Sequence, residues 1–90
     1  MASMSSEEKR AFYEITHCAH NLGTNVPFDP KNIRGAAVLK TKIPEYLSLF
    51  ASLNLYKNED KGHFSLTKKG EHVFLGMMNR ESIRGRRVAY

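Results

Sequence analysis

The sequence predicts a small α+β domain, mainly helical, on three observations. Apolar side chains recur at three- and four-residue spacing in separate stretches, the pattern of one-sided helices. A single pair of alternating segments flanks the polar, glycine-containing run Asn58-Glu59-Asp60-Lys61-Gly62, which is a hairpin signal. Ninety residues with 41% hydrophobic side chains suffice for one core and no more. The expected division is a tail over residues 1–5, one domain over 6–79 and a basic C-terminal extension over 80–90.

The first helix is expected to start at Ser5-Ser6-Glu7-Glu8, which has the capping-box form of a hydroxyl followed three residues on by a carboxylate. Phe12, Ile15, Ala19 and Leu22 share one face of it, and Gly23 supplies the stop. Residues 24–28 read as an extended connector with Phe28 anchored in the core. Asp29-Pro30 is a second start signal, because Asp accepts the first free amides and Pro there forfeits no hydrogen bond. A short helix to about Val38 is expected, carrying the small residues Gly35-Ala36-Ala37. The third helix should begin at Thr41, capped by its hydroxyl, and run to about Leu53. Ile43, Tyr46, Leu47, Phe50 and Leu53 form its inner stripe, with Lys42, Glu45, Ser48 and Ser52 opposite. The strand segments Leu55–Lys57 and His63–Thr67 follow. Thr67 then opens a fourth helix with Phe74, Met77 and Met78 on its inner side and Val73 beside them. Arg80, Arg84, Arg86 and Arg87 make its far end basic.

Each residue around the hairpin has a local reason. Asn54 is the next best residue after glycine in the left-handed conformation. Phe64 and Leu66 point to one side of a strand, Thr67 caps a helix, and Gly70 omits a side chain where helix and hairpin meet. The run Tyr46 to Tyr56, followed by Phe64-Ser65-Leu66-Thr67-Lys68-Lys69-Gly70-Glu71, resembles winged-helix transcription regulators common in archaea and bacteria. In that family a recognition helix ends in a glycine turn and the second wing strand reads aromatic-x-Leu-Thr-x-x-Gly. Asn54 stands here for the usual turn glycine. The resemblance covers about residues 8–78 and implies a winged helix-turn-helix: three helices, a two-stranded β-hairpin wing and a C-terminal fourth helix.

The charge is divided along the chain. Residues 1–29 hold two bases against four acids, a net of −2, whereas residues 30–90 hold twelve against five, a net of +7. Such a skew favours a polyanionic partner, because lysine and arginine that neutralise phosphates release condensed counterions. The resemblance implies that the third helix enters the major groove of duplex DNA while the wing touches backbone. On that reading Lys40, Thr41, Lys42, Glu45 and Ser48 are the groove candidates. Lys57, Lys61 and His63 are the wing candidates, and Lys31 and Arg34 hold backbone from the second helix. From Lys42 to Leu53 the third helix has no Arg, Asn or Gln, the residues that contact guanine or adenine in bidentate fashion. Glu45 and Pro44 there, with Glu59-Asp60 at the wing tip, open an alternative: a winged helix that meets protein, as an assembly subunit or a small viral or mobile-element protein.

A homodimer is expected, since two copies double the footprint on a two-fold operator. Phe12, Tyr13, Met77, Met78 and Ile83 are its candidate interface. No metal, cofactor or catalytic role is expected. His17 and His20 share a helix face but Cys18 points away from both, and the sequence has no phosphate-cradling glycine loop, paired-acid motif or nucleophile elbow. One cysteine excludes an intrachain disulfide. No apolar run approaches the roughly 18 residues of a membrane span, and the N-terminus lacks signal-peptide character. A cytoplasmic location is expected, on the nucleoid or in a host cell if the protein is viral.

Overall fold

A computed structural model describes the chain over residues 4–34 and 40–89, and its side chains over 4–34 and 41–79. The architecture is α+β and mainly helical: helix α1 (Ser6–Leu22), a 3₁₀ turn (Pro30–Asn32), a second 3₁₀ turn (Lys40–Lys42), helix α2 (Ile43–Ser52), strands β1 (Tyr56–Asn58) and β2 (Phe64–Leu66), and helix α3 (Lys68–Ala89).

Helix α1 starts where its capping box requires. The Ser5 hydroxyl accepts from the Glu8 amide at 3.1 Å, and the Glu8 carboxylate accepts from the Ser5 amide at 2.8 Å. Ser5 and Met4, which packs against the core, therefore belong to the domain rather than to a tail. Phe12, Ile15 and Ala19 are buried along the inner face. Leu22, one turn further on, remains exposed, and Gly23 ends the helix with φ 121°.

The expected second helix is not continued through the described residues. Asp29 caps as its side chain should, accepting from the Lys31 amide at 2.9 Å, but the turn closes after Asn32 and Ile33 is extended (φ −77°, ψ 116°). Full burial of an isoleucine side chain contributes about 1.5–3 kcal/mol, more than the few tenths per residue by which ordinary residues differ in helix propensity. Ile33, seated in the core, thus sets the backbone against the local start signal. Residues 35–38 of that expected helix lie outside the described residues. Among the described residues there are three α-helices where the sequence reading expects four.

Helix α2 begins at Ile43, led in by the 3₁₀ turn, and no side chain among the described residues caps it, so the expected Thr41 cap is not made. Pro44 is tolerated because the first turn has no intrahelical amide bond to lose. Ile43, Leu47 and Phe50 are buried, and Tyr46 and Leu53 are half-buried. Asn54 then takes the left-handed conformation (φ 64°), which lets the Leu55 amide return to the Phe50 carbonyl at 2.9 Å.

The hairpin pairs Tyr56 with Leu66, Lys57 with Ser65 and Asn58 with Phe64. Its loop carries positive φ at both Lys61 (61°) and Gly62 (76°). The other edge of β2 is occupied by the connector: the Asn25 amide donates to Leu66, and Phe28 and Phe64 exchange backbone bonds at 2.8 and 3.0 Å. Bonded on both sides, β2 is buried at all three residues. Thr67 then joins three elements. Its hydroxyl donates to the Asn54 and Leu55 carbonyls and accepts from the Gly70 amide at 3.0 Å, which caps α3. A Cβ on Gly70 would overlap the Leu55 carbonyl oxygen, so the helix can approach the hairpin only with glycine there.

One core unites these elements. Phe12 meets Phe50 edge-on at 5.2 Å, and Tyr56 contacts Phe12, Phe28 and Phe50 at 6.0–6.2 Å. Within it the Tyr56 and Thr16 hydroxyls bond to each other at 2.8 Å. Phe12 is fully buried there and offers nothing to a dimer surface, correcting that expectation: its helical position faces α2 and the hairpin rather than outward. On α3, Phe74 is buried and Met77 half-buried, but Met78 is 40% exposed instead of facing inward. The backbone of α3 continues past residue 79 to Ala89, so the basic extension prolongs this helix.

Candidate nucleic-acid interface

The outer face of α2 is built by the same periodicity that buries its inner face. With Ile43, Leu47 and Phe50 turned to the core, Thr41, Lys42, Glu45 and Ser48 are all exposed. Glu45 is the third residue of the helix and makes no hydrogen bond or ion pair among the described residues. With Lys42, Tyr46 and Leu49 it lines a shallow concavity. The Tyr46 ring stacks on Phe50 at 6.0 Å, and its hydroxyl donates to a Glu7 carboxylate oxygen at 3.3 Å. Partial burial, with the Glu7 charge adding to it, pushes the Tyr46 phenol above its ordinary pKa and keeps it a donor. The side chain of Lys40 lies outside the described residues.

Beside the first turn of α2, Lys31 and Pro30 line a second cavity with Ile33 and Pro44. This sets Lys31 next to the start of the helix that carries Lys42 and Glu45. Arg34 is exposed on the same connecting segment, its carbonyl accepting from the Cys18 thiol. The hairpin, whose first strand packs against α2, presents Lys57 and Lys61 to solvent. His63 is half-buried, its Nδ1 3.1 Å from the Asp60 carbonyl, so its ring is turned toward its own loop. Glu59 in the hairpin loop is likewise engaged internally, accepting from the buried Ser65 hydroxyl at 2.7 Å.

Two ion pairs occur among the described residues, Arg10 with Glu14 and His20 with Glu71. Lys31, Arg34, Lys42, Lys57 and Lys61 take part in neither. These five cations are exposed and in no ion pair among the described residues.

The histidines noted in the sequence have other surroundings. His17 and His20 flank Phe74 at 6.0 and 5.4 Å between ring centres. His20 Nε2 lies 3.1 Å from Glu71 Oε2, which also accepts from the Thr24 hydroxyl at 2.9 Å. The Thr24 bond, aided by His20, holds the Glu71 carboxyl below its ordinary pKa. The described residues contain no group of three His, Cys, Asp or Glu arranged to hold a metal.

Of the expected interface for a second copy, Tyr13 is half-buried against Phe74 at 5.6 Å, Met77 is half-buried and Met78 exposed, joined by Leu75 at 43% exposure. The Ile83 side chain lies outside the described residues. Sequence reasoning missed Tyr46, Leu49 and Glu7 at the α2 surface. Tyr46 fits an apolar stripe by spacing, and only a partner 39 residues away reveals its polar end.

No described helix is long and apolar enough to cross a membrane. The chain matches no family model, and no curated protein or solved structure is significantly similar to it.

Proposed function

We propose that the chain is a winged-helix protein that grips duplex DNA, as a transcriptional regulator or small chromatin-type protein, and that it works as a binding module rather than a catalyst. The observation that carries the reading is a set of five exposed cations, in no ion pair among the described residues, on α2 and the segments that adjoin it in the chain: Lys42 at its start, Lys31 beside that start, Arg34 on the segment before it, and Lys57 and Lys61 in the hairpin after it. The order of helices and hairpin supports the same reading. So does the +7 balance of residues 30–90. A homodimer would double this contact, and the exposed Leu75 and Met78 on α3 offer it apolar surface.

Titration of a duplex at several salt concentrations tests the proposal. Five phosphate contacts give log K a slope of about −4 to −5 against log salt. Sedimentation of the same sample reads the dimer. The double reversal Lys42→Glu with Lys61→Glu weakens binding severely. Absence of binding at low salt, or binding indifferent to salt, overturns the reading. Glu45, exposed on the face that would meet phosphates, favours the second reading, a winged helix that engages protein. DNA binding unchanged by the double reversal would support that alternative.

A further inference from the structure

Glu45 is the residue that fits DNA least as a phosphate-gripping surface and most as a base reader. Its carboxylate is exposed, unpaired among the described residues, and set in the first turn of α2 one helical turn from Lys42. The N-terminal residues of a recognition helix are those that reach base edges in the major groove. A carboxylate can only accept hydrogen bonds and an ammonium can only donate them. Phosphates repel the carboxylate, so it is tolerated only opposite a base-edge donor.

The major groove offers two such donors, the cytosine N4 amino group and the adenine N6 amino group. The adenine donor lies between two acceptors, its own N7 and the O4 of the paired thymine, and both repel a carboxylate. The cytosine donor has acceptors on its guanine side alone, O6 and N7, and a donor-only lysine matches these. The exposed residues of α2 include no Asn or Gln, the side chains that read adenine through a paired donor and acceptor.

We infer that Lys42 and Glu45 together make the first turn of α2 a reader of G·C pairs, Glu45 accepting from cytosine N4 and Lys42 donating to guanine O6 and N7. This deepens the DNA-binding proposal and rests on it. Tyr46, tied to Glu7 and stacked on Phe50, braces the same turn from the core side.

The test uses the full chain and three duplexes of equal length whose central pairs are G·C, A·T or inosine·cytosine. Inosine·cytosine keeps the major-groove groups of G·C while its minor groove has those of A·T. Major-groove reading predicts that the G·C and inosine·cytosine duplexes bind alike, both about tenfold tighter than the A·T duplex. Glu45→Ala should narrow that preference, raising affinity for the A·T duplex by deleting an acid while costing the other two the cytosine contact, and Glu45→Ala with Lys42→Ala should abolish it. Glu45→Gln should shift the preference toward A·T. Inosine·cytosine behaving like A·T, a preference that Glu45→Ala leaves undiminished, or one that survives Glu45→Ala with Lys42→Ala overturns the inference and leaves the DNA-binding proposal standing. Failure of every duplex to bind at low salt overturns both.

Discussion

Helix α1 meets its neighbours through two junctions of opposite character. Toward α2 and the hairpin it presents Phe12 to Phe50 and Tyr56, an aromatic contact with the Thr16–Tyr56 bond buried inside it and the Glu7–Tyr46 bond at its exposed edge. Toward α3 it presents Tyr13, His17 and His20 around Phe74, where the rings are half-buried or exposed and the links from His20 and Thr24 converge on Glu71. The elements proposed to touch DNA are therefore fixed to α1 by apolar burial, which persists at any salt concentration. The long C-terminal helix is attached partly through polar groups that water already reaches, where each bond is worth little net.

The largest blow to the first junction is Phe50→Ala, which opens a cavity between α1, α2 and β1. A loss of about 3–5 kcal/mol in denaturant unfolding is expected. Next is Gly70→Ala, where the new methyl meets the Leu55 carbonyl rather than a yielding side chain. Overpacking of this kind costs roughly 1–3 kcal/mol, and the upper half of that range is expected in thermal melts. Tyr56→Phe removes the buried hydroxyl pair and costs roughly 1–2 kcal/mol.

Tyr56 also carries a pH signature. Burial raises its phenol well above the ordinary value of 10.0, so the folded chain keeps a proton that the unfolded chain releases. The stability this represents is complete below pH 10 and declines as pH rises beyond it. An alkaline melting series should show that decline in the parent chain and a weaker one in Tyr56→Phe.

The smallest effect belongs to the wet junction. Glu71 titrates below its ordinary value of 4.5, so its contribution is present at neutral pH and is lost as pH falls below about 4.5. Glu71→Gln should flatten that acid limb while changing the neutral melting temperature less than any of the other three substitutions. A larger loss from Glu71→Gln than from Tyr56→Phe would invert the contrast between the junctions.

What could be read from the sequence follows the same division. Features set within a few residues were legible: the Ser5–Glu8 box, the inner stripe of α2, the left-handed Asn54 and the Thr67 cap. Gly70 was legible too, because a glycine three residues past a cap already marks close approach. Features set by distant partners were not. Ile33 turned extended because the core took its side chain. At the candidate site, the exposed positions of α2 followed from periodicity. The Tyr46–Glu7 bond, the Lys31–Pro44 proximity and the inward turn of Glu59 depend on tertiary packing and left no local trace.

Lys61 sits at the hairpin tip with φ 61°, a conformation that costs a side-chain-bearing residue about 1–2 kcal/mol and costs glycine almost nothing. Stability and charge therefore pull that position in opposite directions. A library randomised at residue 61 and selected for heat resistance should drift to Gly or Asn. The same library selected for retention on DNA should return to Lys or Arg, turning one strained turn into a direct readout of which pressure dominates.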